Sequence, residues 1–450
     1  MNASNALVCT VGTGDKNRIE ETLLNPLKQS LRTGQWETIV LLPSQGTKVY
    51  AERLCEEEQP AMPGCSIEIR PLPAAGEEDD ADACFAHFDS VLASLIQAGV
   101  QPRNITADFT RGTKAMSAAL VLAAVRHGLP VVRYLSGAQR DERGMVVAGS
   151  EKVLEIQTIV VTAQRRLDDA VRFFRQGDFP AAADTVRPSV TEQWPETLRN
   201  EAERLRTWAD FYAAWDRLDY REAARLADQF HAVGADQNLP TDLNSYAPTP
   251  KVIEWVKYLA ADLPDELQGK ARSLRSLVID LLANGERRLA HRQYEDALIR
   301  AYRVLELLGQ ARLFDKGYDS AALPPEDEKV RDFQDHLTRK KDRPLEADQR
   351  SGKLKASREQ VARFLKFLND DFGQKLIDTA EAKEGGTASK RRNQSVLIHG
   401  FAVVSDAEGL AKLYRQLEAL VREDGGAEVD DRLKTARSVP YPSPELRQKT

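Results

Sequence analysis

NITADFTRGTKAMSAALVLAAVRHGLPVVRYLSG, residues 104–137, decides how the first third of the chain folds. It opens on a strand-like run, NITADFT, and closes on another, VVRYLSG, with the helical stretch KAMSAALVLAAVRHG between them. Strand, helix, strand is the pattern of a parallel pair joined by a crossover helix. Working outward, the alternation continues. LVCTVGTG (7–14), WETIVLLPSQGT (36–47) and CSIEIRPLP (65–73) read as strands. The stretches from Asn17, Thr47 and Asp82 between them read as helices. MVVAGSEKVLEIQTIVV (145–161) reads as a closing hairpin or strand pair. Residues 1–160 are therefore expected to form a Rossmann-like domain, a parallel sheet wrapped by helices.

After Val160 the β signal stops and the pattern is helical to the end. AVRFFRQGDFPAAADTV (170–186), FYAAWDRLDYREAARLADQF (211–230) and ERRLAHRQYEDALIRAYRVLELL (286–308) share the grammar of helical hairpins: an apolar helix, a short turn with Asp, Tyr or Phe, then a small residue two or three later. Their irregular spacing favours generic helix pairs packed with alanines over a true repeat array. PTDLNSYAPTP (240–250) and EAKEGGTASK (381–390) read as linkers, and SDAEGLAKLYRQLEALVRE (405–423) as a last strong helix capped by Ser405. The expected class is α/β plus all-α. A helical linker domain spans 161–267, a helical bundle 268–425, and a loosely ordered tail 426–450.

The bulk composition narrows the function. Lys and Arg number 63 against 69 Asp and Glu, a net charge of -6, which argues against a surface coated for duplex DNA. Nucleic acid would have to meet a local basic patch. The four cysteines, Cys9, Cys55, Cys65 and Cys84, form no CxxC pair, so no metal site is expected. The amino terminus lacks a basic, then apolar leader, and no run is long enough to span a membrane, so a cytoplasmic protein is expected.

Ligands of open α/β sheets bind at the carboxyl ends of the strands. The first strand ends in Val11-Gly12-Thr13-Gly14. The fourth runs through Asp108-Phe109-Thr110-Arg111-Gly112-Thr113-Lys114 into a helix, whose free N–H groups favour an anion. Thr110 and Thr113 add hydroxyls, Arg111 and Lys114 positive charge. The same stretch also reads as a tight turn with no ligand. It is neither a Walker A loop, because a threonine separates Gly112 from Lys114, nor a GxGxxG fingerprint. Ser44, Gln45 and Gln139 lie at other strand ends.

DFTRGTKAMSAA, following a VGTG strand in a Rossmann-like domain, resembles the CARF domain of CRISPR-associated proteins. The resemblance implies a homodimeric sensor whose shared pocket takes a cyclic oligoadenylate made by a type III CRISPR complex. By position, Thr10, Gly12, Thr13, Thr110, Arg111, Gly112, Thr113 and Lys114 would line it; many relatives have glycine where this chain has Arg111.

The same family often adds a helical HEPN domain with an Arg-x4–6-His signature, and RNQSVLIH (392–399) resembles its longest form. On a helix, Arg392 and His399 would point within about 20° of each other, roughly 10 Å apart along the axis. The resemblance implies RNA cleavage that needs no metal or cofactor, with His399 exchanging the proton, Arg392 stabilising the transition state, Asn393 orienting Arg392, and the clefts of two chains merging. Single-stranded RNA would be the substrate, and Lys390 and Arg391 would draw it in. Arg300, Arg303 and Glu306 lie on a nearby helix, and a local Arg303–Glu306 pair is the simpler reading of the last two. The alternative function is a nucleotide-sensing adaptor, able to cleave its own activator but not RNA.

Overall fold

The computed structural model describes residues 5–137, 139, 150–231, 246–381 and 406–440. The chain divides into two compact units. One comprises Met1–Asp169 and Thr185–Glu203, the other Ala170–Asp184 and Arg204–Thr450.

The first unit is built on six strands: β1 (Ala6–Val11), β2 (Thr38–Pro43), β3 (Ser66–Ile69), β4 (Ile105–Arg111), β5 (Val131–Gly137) and β6 (Glu151–Gln157). Their spatial order is β3-β2-β1-β4-β5-β6. The first five are parallel, and β6 closes the sheet antiparallel to β5. Helices α1 (Asn25–Arg32), α2 (Lys48–Glu58), α3 (Ala81–Gln97) and α4 (Lys114–Arg126) connect the parallel strands. Every residue of β1 is buried, and its side chains divide by alternation. Ala6 and Val8 join Val40, Leu42, Phe88 and Leu120 in one core cluster. Leu7, Cys9 and Val11 join Ile39, Leu41, Leu27 and Leu54 in another. Two covered faces explain why these strands read as continuous apolar runs.

The helix α5 (Thr158–Arg175) starts earlier than the sequence suggests. Ile159, Val160 and Val161 have strand propensity yet lie in its first turn. The hydroxyl of Thr158 donates to the Leu129 carbonyl, and the Ile159 N–H donates to the Pro130 carbonyl. These ties hold the chain at the end of β6 and turn it into a helix, overriding propensity.

Beyond it run α6 (Phe179–Thr185), α7 (Pro188–Thr191), α8 (Glu196–Asp216), α9 (Tyr220–Ala227), α10 (Pro250–Ala260), α11 (Leu267–Ala290) and α12 (Tyr294–Asp315). The three look-alike segments share one stop. Gly177, Leu218 and Arg292 each take a positive φ, 76°, 64° and 60°. The next residue donates its N–H back to Phe173, Ala214 and Arg288 respectively, which is the Schellman closure. An aromatic, Phe179, Tyr220 or Tyr294, then begins the following helix.

The rest of the second unit holds α13 (Glu328–Arg339), the short hairpin β7 (Glu346–Ala347) and β8 (Leu354–Lys355), α14 (Arg358–Phe367), α15 (Phe372–Glu381), α16 (Ala407–Gly425) and α17 (Val429–Ala436). The all-helical expectation missed the hairpin. Asp348 makes its turn by accepting the N–H groups of Arg350 and Ser351. The cap of α16 is Asp406, whose carboxylate accepts the Gly409 N–H at 2.8 Å; Ser405 lies outside the described residues. Residues 429–436 form a helix rather than part of a loose tail, because Val429, Leu433 and Ala436 are buried. Gly285 on α11 faces Tyr414 on α16 so closely that a Cβ there would stand 1.9 Å from the phenol oxygen. That phenol donates to the Ala297 carbonyl at 2.7 Å.

A carboxylate lies at the centre of this unit. Asp280 of α11 is fully buried. It accepts the indole N–H of Trp215 and of Trp255, both at 3.0 Å, and the hydroxyl of Tyr220 at 2.8 Å. One side chain thereby ties α8, α9 and α10 to α11. No helix among the described residues is long and apolar enough to cross a membrane.

Candidate functional site

The ends of β1 and β4 meet as closely as backbones can. The Gly12 N–H donates to the Arg111 carbonyl at 2.9 Å. A Cβ on Gly12 would stand 2.6 Å from the Gly112 Cα, and one on Gly112 would stand 2.9 Å from the Thr10 Oγ1. Only glycine fits at both positions. The pairing runs Cys9 opposite Asp108, then Val11 opposite Arg111. One residue of β1, Thr10, therefore faces two of β4, Phe109 and Thr110. This is a β-bulge, and it re-aims the turn that follows.

Asp108 and Thr110 fasten the bulge. The Asp108 Oδ1 accepts the Thr110 N–H at 2.8 Å and the Thr110 hydroxyl. The same Thr110 oxygen accepts the Leu135 N–H at 2.8 Å. Thr113 caps α4, accepting the Met116 N–H at 3.1 Å while its hydroxyl donates to the Glu78 carbonyl. The two hydroxyls that the sequence offered to a ligand are thus engaged in shaping the turn. Lys114 is exposed at the first position of α4, and Thr13 is exposed on the facing loop.

Two polar atoms stand out. The Thr10 Oγ1 is buried with no hydrogen-bond partner among the described residues, and so is the Arg111 Nε. Burial lowers the Arg111 pKa, with the negative charge of Glu151 opposing, yet an arginine remains a cation at neutral pH. A half-buried cation beside a helix amino terminus, with a lysine next to it, is a place where an anion is stabilised.

The outer candidates are structural ties. Ser44 forms a capping box with Thr47, whose hydroxyl donates to the Val11 carbonyl at 2.6 Å. The Gln45 amide donates to the Leu72 carbonyl at 2.6 Å. The Gln139 N–H donates to the Ser150 hydroxyl at 3.3 Å.

Arg392, Asn393 and His399 lie outside the described residues, as do Lys390 and Arg391. The Arg303 guanidinium donates to Glu306 at 2.8 Å, the local pair that their spacing predicts. Arg300 donates to Asn284 and to Asp296. Among the described residues no group of three or more His, Cys, Asp and Glu could hold a metal ion. His87 meets the Arg70 carbonyl, and His127 meets Asp89.

Residues 268–424 match the family model described as the Csm6 HEPN domain. Among solved structures, Enterococcus italicus Csm6 bound to cyclic hexa-2'-fluoro-hexa-dAMP superposes with a TM-score of 0.61 at 13% identity, covering 97% of this chain and 99% of that one. The chain has a Csm6-like fold. At that identity the likeness is one of fold. Can2 from Sulfobacillus thermosulfidooxidans, in complex with cyclic tetra-adenylate, gives a TM-score of 0.24 at 12% identity, covering 48% of this chain and 67% of that one. No curated protein matches the chain. The six-stranded sheet carries the glycine-paired cradle, and the stretch matched by the HEPN model contains the sequence from Arg392 to His399.

Proposed function

We propose that this protein is an endoribonuclease of type III CRISPR immunity, switched on by a cyclic oligoadenylate. The ring binds the CARF cradle in a homodimer. Arg111 faces its phosphates and ribose edges, with Thr13, Lys114 and the N–H groups at the start of α4, while Thr10 lies buried beneath the glycine pair. Gly12 and Gly112 hold the two loops together, and Thr110 and Thr113 shape the second. What supports the reading most is that the stretch matching the Csm6 HEPN model includes Arg392, Asn393 and His399. We retain the partition into a sensor at 1–160, a linking helical region at 161–267 and a nuclease region at 268–425.

In the proposed chemistry the RNA supplies its own nucleophile, the ribose 2′-hydroxyl. His399 takes the proton from that hydroxyl or gives one to the departing 5′-oxygen, because imidazole titrates near neutrality. Arg392 stabilises the added negative charge on the five-coordinate phosphorus. Asn393 orients Arg392. The 2′-oxygen bonds to phosphorus as the 5′-oxygen leaves, giving a 2′,3′-cyclic phosphate and a 5′-hydroxyl with no metal in the step. Clefts from two chains join, and the ring favours the dimer geometry in which they cut. That is a population shift, so its extent is limited by the ring's preference for the active state.

The test is degradation of single-stranded RNA with cyclic tri-, tetra- or hexa-adenylate. One ring is expected to start cleavage, and a chelator to leave the rate unchanged. His399→Ala is expected to lower the rate by about 10²–10⁴-fold, the range for a general acid–base group, with ring binding retained. Undiminished cleavage by a folded His399→Ala protein would remove the site assignment. Ring binding without cleavage by the wild type would favour the adaptor reading.

A further inference from the structure

The cradle rests on a buried polar cluster that the ligand reading does not use. Arg133 lies within β5 with its side chain almost wholly buried, 4% exposed, against an Asp108 side chain 1% exposed. Its Nε donates to the Asp108 Oδ2 at 2.9 Å. Its two terminal nitrogens donate to the Thr33 carbonyl at 2.7 Å, the Ser30 carbonyl at 2.8 Å and the Ser30 hydroxyl oxygen at 3.1 Å. The Ser30 hydroxyl in turn donates to the Asp108 Oδ2. The guanidinium lies over the Trp36 ring, 5.0 Å from its centroid.

Arg133 thereby satisfies carbonyls at the carboxyl end of α1 and the outer oxygen of Asp108 at once. The other Asp108 oxygen is the one that holds the Thr110 N–H and hydroxyl. Both carboxylate oxygens are therefore occupied from opposite sides, and the carboxylate plane is set by Arg133 below and read by Thr110 above. A fork with several N–H donors can fix that plane; a lysine, with a single rotatable head, cannot do so equally.

We propose that Arg133 and Asp108 are positioning residues for the anion cradle. They fix the β4 bulge and so aim the Arg111-Gly112-Thr113-Lys114 turn and the first N–H groups of α4 at the ligand. The claim rests on the activator reading for what the ligand is, though not for how the turn is held. Arg133 is too buried to touch a ring, so its influence on binding runs through Asp108 and Thr110.

The test uses the full-length chain with Arg133→Lys, Arg133→Met, Ser30→Ala and Thr110→Val. Amide hydrogen exchange in ligand-free protein reads the bulge directly. Arg133→Lys and Thr110→Val are expected to speed exchange at residues 110–113 and at the Leu135 N–H, with the other strands still protected. Cyclic tetra- and hexa-adenylate are then titrated against RNA cleavage. The half-saturating ring concentration is expected to rise about tenfold, the equivalent of one lost hydrogen bond to a charged group, with the same maximal rate. Arg133→Lys should lie between wild type and Arg133→Met. A general structural defect would instead lower the maximal rate and the melting temperature together.

Wild-type exchange and wild-type half-saturation in both Arg133→Lys and Thr110→Val would overturn the proposal. If Arg133→Met fails to fold, those two variants decide. If the wild type binds neither ring, the activator reading falls, and the exchange result still decides whether Arg133 and Asp108 hold the turn.

Discussion

Arg111 is a cation whose Nε is buried without a partner among the described residues. In the proposed site this group would meet the ring's phosphates, because a half-buried guanidinium gains most from an incoming negative charge. Arg111→Gln is therefore expected to weaken ring binding by about ten- to hundredfold, the range for a hydrogen bond to a charged group, without lowering the melting temperature; calorimetric titration and thermal unfolding check the two halves. Asp280 presents the opposite case, a fully satisfied buried carboxyl. Burial raises its pKa above the ordinary aspartate value, against Arg287 and its Trp255, Tyr220 and Trp215 donors. The folded chain then keeps that proton to higher pH than the unfolded chain does. Its contribution to stability falls as pH rises from about 3.9, the unfolded value, through the folded value, and is level above it. Asp280→Asn removes this slope. Urea unfolding across acid to neutral pH should show the wild-type advantage over the variant shrinking as pH rises through that window.

At the scale of elements, the two cradle loops behave as one part. Gly12→Ala would drive a Cβ to within 2.6 Å of the Gly112 backbone. The loops must separate, at a cost of about 1–3 kcal/mol as for other overpacked sites, and ring affinity should fall with it; chemical denaturation and binding measured on the same sample check this. The strand and helix order of the first sheet was legible because period and breakers agree in stretches such as LVCTVGTG and WETIVLLPSQGT. The cradle's glycines and its Arg111 and Lys114 were legible for the same local reason. The function of the Thr110 and Thr113 hydroxyls was not. Their partners, Asp108, Leu135 and Glu78, are set by the bulge and by tertiary approach. Arg133 did leave a trace, since a charged residue inside a strand buried on both faces demands a partner. Nothing local said that Ser30 and Asp108 supply it. Helix α17 was missed because VDDRLKTA is short and polar, and its apolar residues acquire meaning only against the rest of the unit.

At the scale of the whole molecule, the proposed cleft belongs to two chains. Adding excess His399→Ala chain to wild type should suppress cleavage by more than dilution, because mixed dimers carry a damaged cleft. A loss no greater than dilution would mean that each chain cuts alone. The proposed cleft also depends on a local basic patch in a chain of net charge -6. The clamp at Asp280 bears on this scale too. By holding Trp215, Tyr220 and Trp255 on one carboxylate, it makes α8, α9 and α10 part of the same packed body as α11, the helix that opens the matched HEPN stretch.

The glycine pair at 12 and 112 has a bearing on descent. Gly12 cannot acquire a side chain while the Gly112 backbone stays where it is, and a side chain on Gly112 would press on Thr10 and Met116. Across a lineage Gly12 should therefore be inherited together with the loop opposite it, and a descendant that altered Gly12 would be expected to have remodelled that loop as well.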